Sequence, residues 1–175
     1  MSLLVRQIGA GSTWQDGGRS GWRRFGVPPG GAFDRESQIL ANALLGKPLD
    51  RPVVEIPVMG GTFDVLERCR VAVTGARASV KSLAGPLPSN AAYLLDAGDT
   101  LSLGHATGAA RTYLACSSDG GPEPVLGSVG GADVKVGNII GRAEAYRKWQ
   151  QTLASGVASE PRPPTDVRQL AEPPF

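Results

Sequence analysis

Short runs of alternating apolar and polar residues, most of them ending at glycine or proline, make up most of this chain. Residues 3–8 form the first run, and the alternation returns from Pro52, where Val54, Ile56 and Val58 are every second residue. A period of two is typical of strands with one buried face. Strands at this spacing predict a mainly β fold, a β-barrel or sandwich. Further strands are predicted at residues 63–65, 71–73, 79–83, 92–95, 100–103 and 111–116, with a turn at 74–76 and a loop at 85–88.

One helix interrupts the predicted strands. Asp34 is a good N-cap, because its carboxylate can accept hydrogen bonds from the free amides of the first helical turn. Residues 35–45 then carry apolar side chains at helical spacing, and Gly46 suits the left-handed position that closes a helix. The sequence therefore predicts a helix that begins directly after a Gly-rich stretch.

The pattern changes again towards the C-terminus. Tyr146, Trp149 and Leu153 lie on one apolar stripe of a predicted helix at 141–153. Five of the 14 prolines follow within the last residues, a composition that cannot easily form a core. We therefore divide the chain into a β-barrel domain at 1–135, an amphipathic helix at 136–155 and a Pro-rich extended tail at 156–175.

The Gly-rich stretch, residues 11–34, has neither a helical nor a strand period. It contains seven glycines and three arginines, Arg19, Arg23 and Arg24. Glycines in this number indicate a backbone that turns sharply or approaches a ligand closely. Arginine side chains are planar donors suited to carboxylate or phosphate. The alternative is a long surface loop whose arginines are solvated.

Composition narrows the class of protein. The net charge is only +2 and no basic stripe is present, which argues against nucleic-acid binding. No apolar run approaches the ~20 residues that a membrane-spanning helix needs. The first residues lack a basic region and a cleavage site, so no signal peptide is predicted.

The cysteines and the histidine limit the kinds of metal site and catalytic group that this chain could form. Cys69 and Cys116 are the only cysteines and lie in apolar segments, which predicts buried free thiols and a cytoplasmic protein. His105 is the only histidine and lies in a Gly-rich turn, where we expect it to be exposed. A metal site built on histidines is excluded, and a Ser-His-Asp triad has only this one histidine to use.

Glu55 is flanked by apolar residues in a predicted strand. A buried carboxylate without a partner would cost several kcal/mol. An arginine of the Gly-rich stretch is one possible partner. The alternative is that Glu55 lies on the solvated face of an edge strand.

Several segments together resemble one known family. QDGGRSGWRRFGVPPGGAFD, at 15–34, is similar to the pattern QDxGRxGxxxxGVPxxGAxD of the allophanate hydrolase subunit 2 family, also described as the KipA family, as the C subunit of 5-oxoprolinase, and as one lobe of the urea carboxylase carboxyltransferase domain. Six further segments match that family in the same order. They are SQILANALLG, VVEIPVMGGTFDV, VAVTGA, DAGDTLSLG, RTYLA and PVLGS.

The resemblance implies a cyclophilin-like β-barrel and a subunit that works with a partner. That partner would be a subunit 1 of the type represented by KipI or by the B subunit of 5-oxoprolinase, or a second copy of the chain. The implied activities are the opening of 5-oxoproline and the metabolism of urea or allophanate. No phosphate-binding P-loop is present, so any ATP dependence would come through the complex.

Two departures from the family pattern bear on activity. Family members are longer and have a second barrel-like half, and the AVAGG segment after RTYLA is replaced here by CSSDGG. The resemblance therefore leaves two interpretations open: an enzyme subunit acting on a small amide or lactam with a partner, and a non-catalytic binding or regulatory module that keeps the subunit interface.

The chemistry of such an enzyme indicates which residues would carry it. Opening a lactam, or transferring a carboxylate to an amide, develops negative charge on oxygen, which arginine and backbone amides stabilise. Arg19 is the first expected clamp and Arg111 the second. Asp16 or Asp34 would act as the base or orient the arginine, which makes Asp16, Arg19 and Asp34 the predicted catalytic residues.

Gln15, Glu55 and Arg111 are the predicted substrate-binding residues, with Gln15 suited to an amide. Two structural alternatives stand beside the catalytic roles. In one, Asp34 serves only as the helix cap, and in the other Asp16 pairs with Arg19 to hold the loop. Hydroxyl nucleophiles are weakly indicated, because the serines and threonine considered have no basic neighbour in sequence. These residues are Ser12, Thr13 and Ser128.

Overall fold

The computed structural model describes residues 2–141, which form two antiparallel sheets and one α-helix. The helix, α1, spans Arg35–Leu44, and a single 3-10 turn covers Arg23–Phe25. The strands are β1 Ser2–Ile8, β2 Thr13–Gln15, β3 Val53–Pro57, β4 Gly61–Glu67, β5 Cys69–Arg77, β6 Val80–Ser82, β7 Gly85–Leu87, β8 Ala91–Leu95, β9 Thr100–Leu103, β10 Thr107–Cys116 and β11 Ile139–Gly141.

The two sheets have different strand orders. The six-stranded sheet runs β11-β1-β4-β9-β6-β7, and the five-stranded sheet runs β2-β3-β10-β5-β8. Within residues 2–141 no named strand pairs across from one sheet to the other, so the barrel is not closed. The mainly β prediction is confirmed, and the architecture is that of two sheets facing one another.

The main core lies between the sheets. Phe63 and Leu101 of the six-stranded sheet belong to one buried cluster with Ile56, Leu114 and Tyr93 of the five-stranded sheet. A second, smaller cluster lies on the outer face of the five-stranded sheet, where α1 packs. That outer face is the one on which the candidate site is built.

The first helix is as predicted. Asp34 accepts a hydrogen bond from the backbone amide of Ser37 at 3.1 Å, and Gly46 adopts φ +67° just beyond the helix end. Both ends are specified by residues within a few positions of the helix, which explains why the sequence alone located it.

The predicted turn at 74–76 and the predicted loop at 85–88 are wrong. β5 continues through Gly75, which adopts φ +96°, and β7 occupies Gly85–Leu87. A Cβ at residue 75 would lie 2.6 Å from the carbonyl oxygen of Arg111. Gly75 therefore allows the close approach of β10 at a bulge and does not end the strand.

Two further strands, besides β7, were not predicted. β2 lies inside the Gly-rich stretch, and β11 begins at Ile139, inside the segment 136–155 assigned to a helix. Residues 139–141 are therefore strand, paired with β1. The rest of that predicted helix, and the predicted tail at 156–175, lie outside the described residues.

The predicted burial of the two cysteines and the predicted exposure of the histidine are confirmed. Cys69 and Cys116 are buried free thiols, and His105 is exposed. A hydrogen bond with Cys116, together with burial, raises the pKa of the Cys69 thiol. Both cysteines belong to the main core between the two sheets.

Across residues 2–141, no helix has the length and apolar content needed to cross a bilayer.

Candidate functional site

The Gly-rich stretch folds back on itself. The backbone amide of Arg19 donates to the carbonyl of Pro29 at 2.6 Å, which joins the two arms of the stretch. Gly18 adopts φ +79°, and a Cβ there would lie 2.7 Å from the same Pro29 oxygen. Only glycine fits this crossing, because any side chain would meet backbone at close range.

Asp16 ties the stretch to a distant part of the chain. Its Oδ1 accepts from the Ser128 hydroxyl at 2.6 Å, and its Oδ2 accepts from the Val129 amide at 2.8 Å. The Gly18 amide adds a third bond to Oδ1 at 2.8 Å. Asp16 is thus engaged with the segment at 128–129, and the predicted pairing with Arg19 is not formed.

Arg19 and Gln15 meet that same segment. Arg19 Nη2 donates to the carbonyl of Gly130 at 2.8 Å. A Cβ at Gly130 would lie 3.2 Å from Gln15 Oε1 and 3.4 Å from Asp16 Oδ1. Gln15, Asp16 and Arg19, which are predicted site residues, therefore surround Gly130, and we call these four residues the Gly130 cluster.

The Gly130 cluster contains two unsatisfied polar atoms. Gln15 Oε1, an acceptor, and Arg19 Nε, a donor, are both buried and have no hydrogen-bond partner among the described residues. Each such atom costs about 1–3 kcal/mol when left unpaired. An unpaired acceptor and an unpaired donor beside one glycine would suit a group that carries both an N–H and a C=O.

Glu55 is the centre of a second group of residues. It is only 6% exposed, and its Oε1 accepts from Arg111 Nε at 3.1 Å. Its Oε2 accepts from the Tyr113 hydroxyl and from the Phe33 amide, each at 2.8 Å. We call Glu55, Arg111, Tyr113 and Phe33 the Glu55 cluster. The partner of Glu55 is Arg111 from β10. The suggested pairing with an arginine of the Gly-rich stretch is therefore wrong.

Arg111 keeps donors available in this arrangement. Only its Nε is engaged, the side chain is 32% exposed, and its guanidinium lies 5.5 Å from the centre of the Phe33 ring. Its two terminal nitrogens have no partner among residues 2–141. They form a planar fork of donors, a geometry that suits a carboxylate.

Asp34 lies at the boundary between the Glu55 cluster and α1. Its carboxylate accepts from the amide and the hydroxyl of Ser37, at 3.1 and 2.6 Å, and its own amide donates to the Tyr113 hydroxyl at 2.7 Å. Asp34 therefore caps α1.

The strand register places both clusters on one face of the five-stranded sheet. Thr13 of β2 is opposite Glu55, which is opposite Tyr113 of β10. Gln15 donates to the Thr13 hydroxyl at 3.0 Å and so extends this row towards the Gly130 cluster. Residues directly opposite on neighbouring strands have Cβ atoms about 4.5–5.5 Å apart. Thr13 and Gln15 therefore connect the Glu55 cluster to the Gly130 cluster.

Tyr113 is fully buried, and burial raises its pKa above the ordinary tyrosine value, so its hydroxyl stays a donor. We expect Tyr113→Phe to lower the free energy of unfolding by about 1.5–3 kcal/mol, because a carboxylate loses a donor and the Asp34 amide loses its acceptor. Urea unfolding measures this difference.

Tyr93→Phe is the matched control. Tyr93 is equally buried, and burial raises its pKa to about 12, but its hydroxyl has no hydrogen-bond partner in the described chain. Removing that hydroxyl should leave stability unchanged or raise it by up to about 1 kcal/mol. Equal losses in the two variants would contradict the role given to Tyr113.

The described residues hold no cluster of metal ligands, and two open cavities lie apart from the Gly130 and Glu55 clusters. No group of three or more potential metal ligands occurs among residues 2–141. Two open cavities, of about 590 and 300 Å³, lie elsewhere on the molecule. The first is lined by Gly75, Ala76, Arg77, Thr107, Gly108 and Ala109, and the second by Gln7, Ile8, Gly9, Ala10, Met59, Gly60, Gly61, Thr62 and Leu103. Neither includes a predicted site residue.

The sequence missed three contributors to the site. Tyr113 and Phe33 complete the Glu55 cluster, and Gly130 is the centre of the other. Tyr113 could have been predicted from the sequence, since a tyrosine in an apolar strand needs a partner for its hydroxyl. Gly130 could not have been predicted, because many glycines of this chain lie in similar local sequence.

Comparison with known proteins gives a consistent family. Residues 25–171 match the family model of the carboxyltransferase domain, subdomain A and B. The urea amidolyase of Lachancea kluyveri is 32% identical over 175 residues, covering 91% of this chain and 9% of that protein. The C subunit of 5-oxoprolinase from Escherichia coli (strain K12) is 32% identical over 140 residues, covering 77% of this chain and 43% of that protein.

A solved structure agrees with the fold. The urea amidolyase of K. lactis superposes with a TM-score of 0.74 at 28% identity, over 82% of this chain and 10% of that one. The chain thus spans less than half the length of each of these relatives, one of which is by name a subunit of a larger enzyme. On the match of the family model over residues 25–171, the chain belongs to the carboxyltransferase domain family, subdomain A and B.

Proposed function

We propose that this chain is a subunit of a urea amidolyase- or 5-oxoprolinase-related enzyme and binds a small amide or lactam in concert with a partner protein. The observation that carries the proposal is the pair of unsatisfied atoms in the Gly130 cluster, Gln15 Oε1 and Arg19 Nε. The amide of 5-oxoproline, urea or allophanate carries the N–H and the C=O that these two atoms lack.

Each predicted site residue receives a role in this proposal. Arg19 donates to the amide oxygen and stabilises the negative charge that develops there when the carbonyl is attacked. Gln15 accepts from the amide N–H. Asp16 is engaged in three hydrogen bonds, so it positions the segment at 128–130 around the ligand. Asp34 caps α1 and thereby fixes the end of the Gly-rich stretch.

The Glu55 cluster supplies the second part of the site. Arg111, with its terminal nitrogens available, binds a carboxylate of the ligand or the developing charge of a transferred carboxylate. Glu55 holds that guanidinium through its Nε. The described residues contain no P-loop, so any ATP-dependent step belongs to a partner, either a subunit-1-type protein or a second copy of the chain.

A non-catalytic binding or regulatory module is the second candidate. The observation that favours it is the engagement of the acidic residues, since Asp16, Asp34 and Glu55 all accept hydrogen bonds within the protein. A general base needs a free lone pair near the proton that it abstracts. Turnover of 5-oxoproline by the chain together with a subunit-1-type partner would support the enzyme, and binding without turnover would support the module.

Arg19→Ala tests the proposed site. For the wild-type protein, 5-oxoproline at ten times its dissociation constant should raise the melting temperature by about 3–6 °C. L-proline, which has the ring and the carboxylate but no lactam, should raise it far less. Arg19→Ala should abolish the shift by 5-oxoproline while the variant itself stays folded, because a loop arginine contributes little to the core.

Arg23→Ala is the matched control, since Arg23 lies in the same stretch, is exposed and has no side-chain hydrogen bond among the described residues. Gly130→Ala is a second test, because the added methyl lies 3.2 Å from Gln15 Oε1 and would obstruct the cluster. An Arg19→Ala protein that is unfolded would identify the residue as a structural clamp and refute the assignment.

A further inference from the structure

The Gly-rich stretch carries an exposed turn that the candidate site does not use. Trp22 is 36% exposed and Phe25 is 63% exposed, and the two rings lie 5.8 Å apart between their centres. Arg23 and Arg24 lie between them, and the guanidinium of Arg24 lies 4.8 Å from the Phe25 ring. We call Trp22–Phe25 the basic–aromatic turn.

The backbone of the basic–aromatic turn is ordered by its own hydrogen bonds. The Phe25 amide donates to the Trp22 carbonyl at 2.9 Å, and the Gly26 amide donates to the Arg23 carbonyl at 3.0 Å. Gly26 then closes the turn with φ +78°. The backbone that carries the two rings and two guanidinium groups is thus ordered before any partner arrives, which lowers the entropic cost of binding.

The charge of the turn is not compensated locally. Residues 17–33 contain three arginines and no acidic residue. Neither Arg23 nor Arg24 forms an ion pair within residues 2–141, and Asp16 and Asp34 at the two ends of the stretch are engaged elsewhere. Tryptophan, phenylalanine and arginine are the residue types enriched in protein interfaces, and tryptophan and arginine are enriched among their hot spots.

We propose that the basic–aromatic turn is the docking anchor for the companion subunit and fits a surface with an apolar centre flanked by Asp or Glu side chains. Charge complementarity carries this choice, since two unpaired arginines beside exposed rings favour an acidic rim around an apolar pocket. The inference rests on the proposed function, because it names the surface through which that subunit would assemble.

Binding to a purified companion, the B subunit of a 5-oxoprolinase, measured by calorimetry, tests the inference with two double variants. Arg23→Glu/Arg24→Glu and Trp22→Ala/Phe25→Ala should each weaken the association by at least about 100-fold. The control is Arg70→Glu/Arg77→Glu, which makes the same charge change at exposed arginines of β5 and should leave the affinity within about threefold. Higher salt should weaken the wild-type complex and have less effect on the charge-reversed variant.

Three results would overturn the inference. If both turn variants bind the companion as well as wild type does, the anchor lies elsewhere while the proposed function stands. If the wild-type protein forms no complex, both the anchor and the partner-dependent function fail. If a single-stranded oligonucleotide competes for the turn with a similar affinity, the patch is a general anion and ring surface and not a subunit anchor.

Discussion

Replacing Glu55 by alanine is expected to lower the free energy of unfolding by about 3–5 kcal/mol. The carboxylate accepts from Arg111, Tyr113 and the Phe33 amide, so its removal leaves a guanidinium, a hydroxyl and a backbone donor without their partner. The loss of stability should be large because Glu55 and Tyr113 are buried, so water cannot readily replace the lost contacts. Urea unfolding followed by circular dichroism measures the change.

Asp64→Ala is the matched control for this prediction. Asp64 also pairs with an arginine from a neighbouring strand, Arg6 of β1, but that arginine is 60% exposed. Exposed pairs of this kind contribute about 0–1 kcal/mol. A loss at Glu55 no larger than the loss at Asp64 would show that the Glu55 cluster does not hold the Gly-rich stretch on the sheet.

Replacing Gly18 by alanine is expected to disrupt the Gly-rich stretch itself. The left-handed backbone alone costs alanine about 1–2 kcal/mol, and the new methyl would lie 2.7 Å from the Pro29 oxygen, where forced overpacking typically adds about 1–3 kcal/mol. Because the crossing of residues 18 and 29 positions Arg19, we also expect the 5-oxoproline-induced rise in melting temperature to be lost.

Gly26→Ala separates the two causes. Gly26 has φ +78°, almost the same as Gly18, but no atom lies within 4 Å of the position of its Cβ. That variant should lose only the backbone contribution and keep the ligand response. If the two variants lose the same stability, the approach of Pro29 to Gly18 is not a tight constraint and the stretch is looser than its contacts indicate.

The sequence predicted the parts of the fold that depend on neighbours in the chain. The helix after Asp34 is one example, because its cap and its closing glycine lie within a few residues of its ends. β2 escaped prediction because Trp14 has no alternating neighbours, and only its pairing with β3 makes the segment a strand. Gly75 was taken for a turn because a glycine at a bulge and a glycine at a turn look alike in sequence.

The sequence indicated which residues would belong to the candidate site, but not which residues they would contact. The need of Glu55 for a partner followed from its apolar surroundings, but Arg111 is 56 residues away and could not be identified from local spacing. One alternative paired Asp16 with Arg19, three residues away in sequence. In the fold Asp16 instead contacts Ser128, 112 residues away. Spacing along the sequence suggests hydrogen-bond partners that are near in the chain. The observed partners are distant in the chain and are brought together by the strand topology.

The contacts of Asp16 also have a consequence for how the molecule folds. The Gly130 cluster forms only when residues near the start of the chain meet a segment more than a hundred residues later. The following part of the chain adds the edge strand of the six-stranded sheet, where β11 pairs with β1. Loop closure over such sequence separations is entropically costly and makes the transition state slow to reach. The Gly130 cluster should therefore form in the last kinetic phase of folding, after α1 and the local hairpins have already formed.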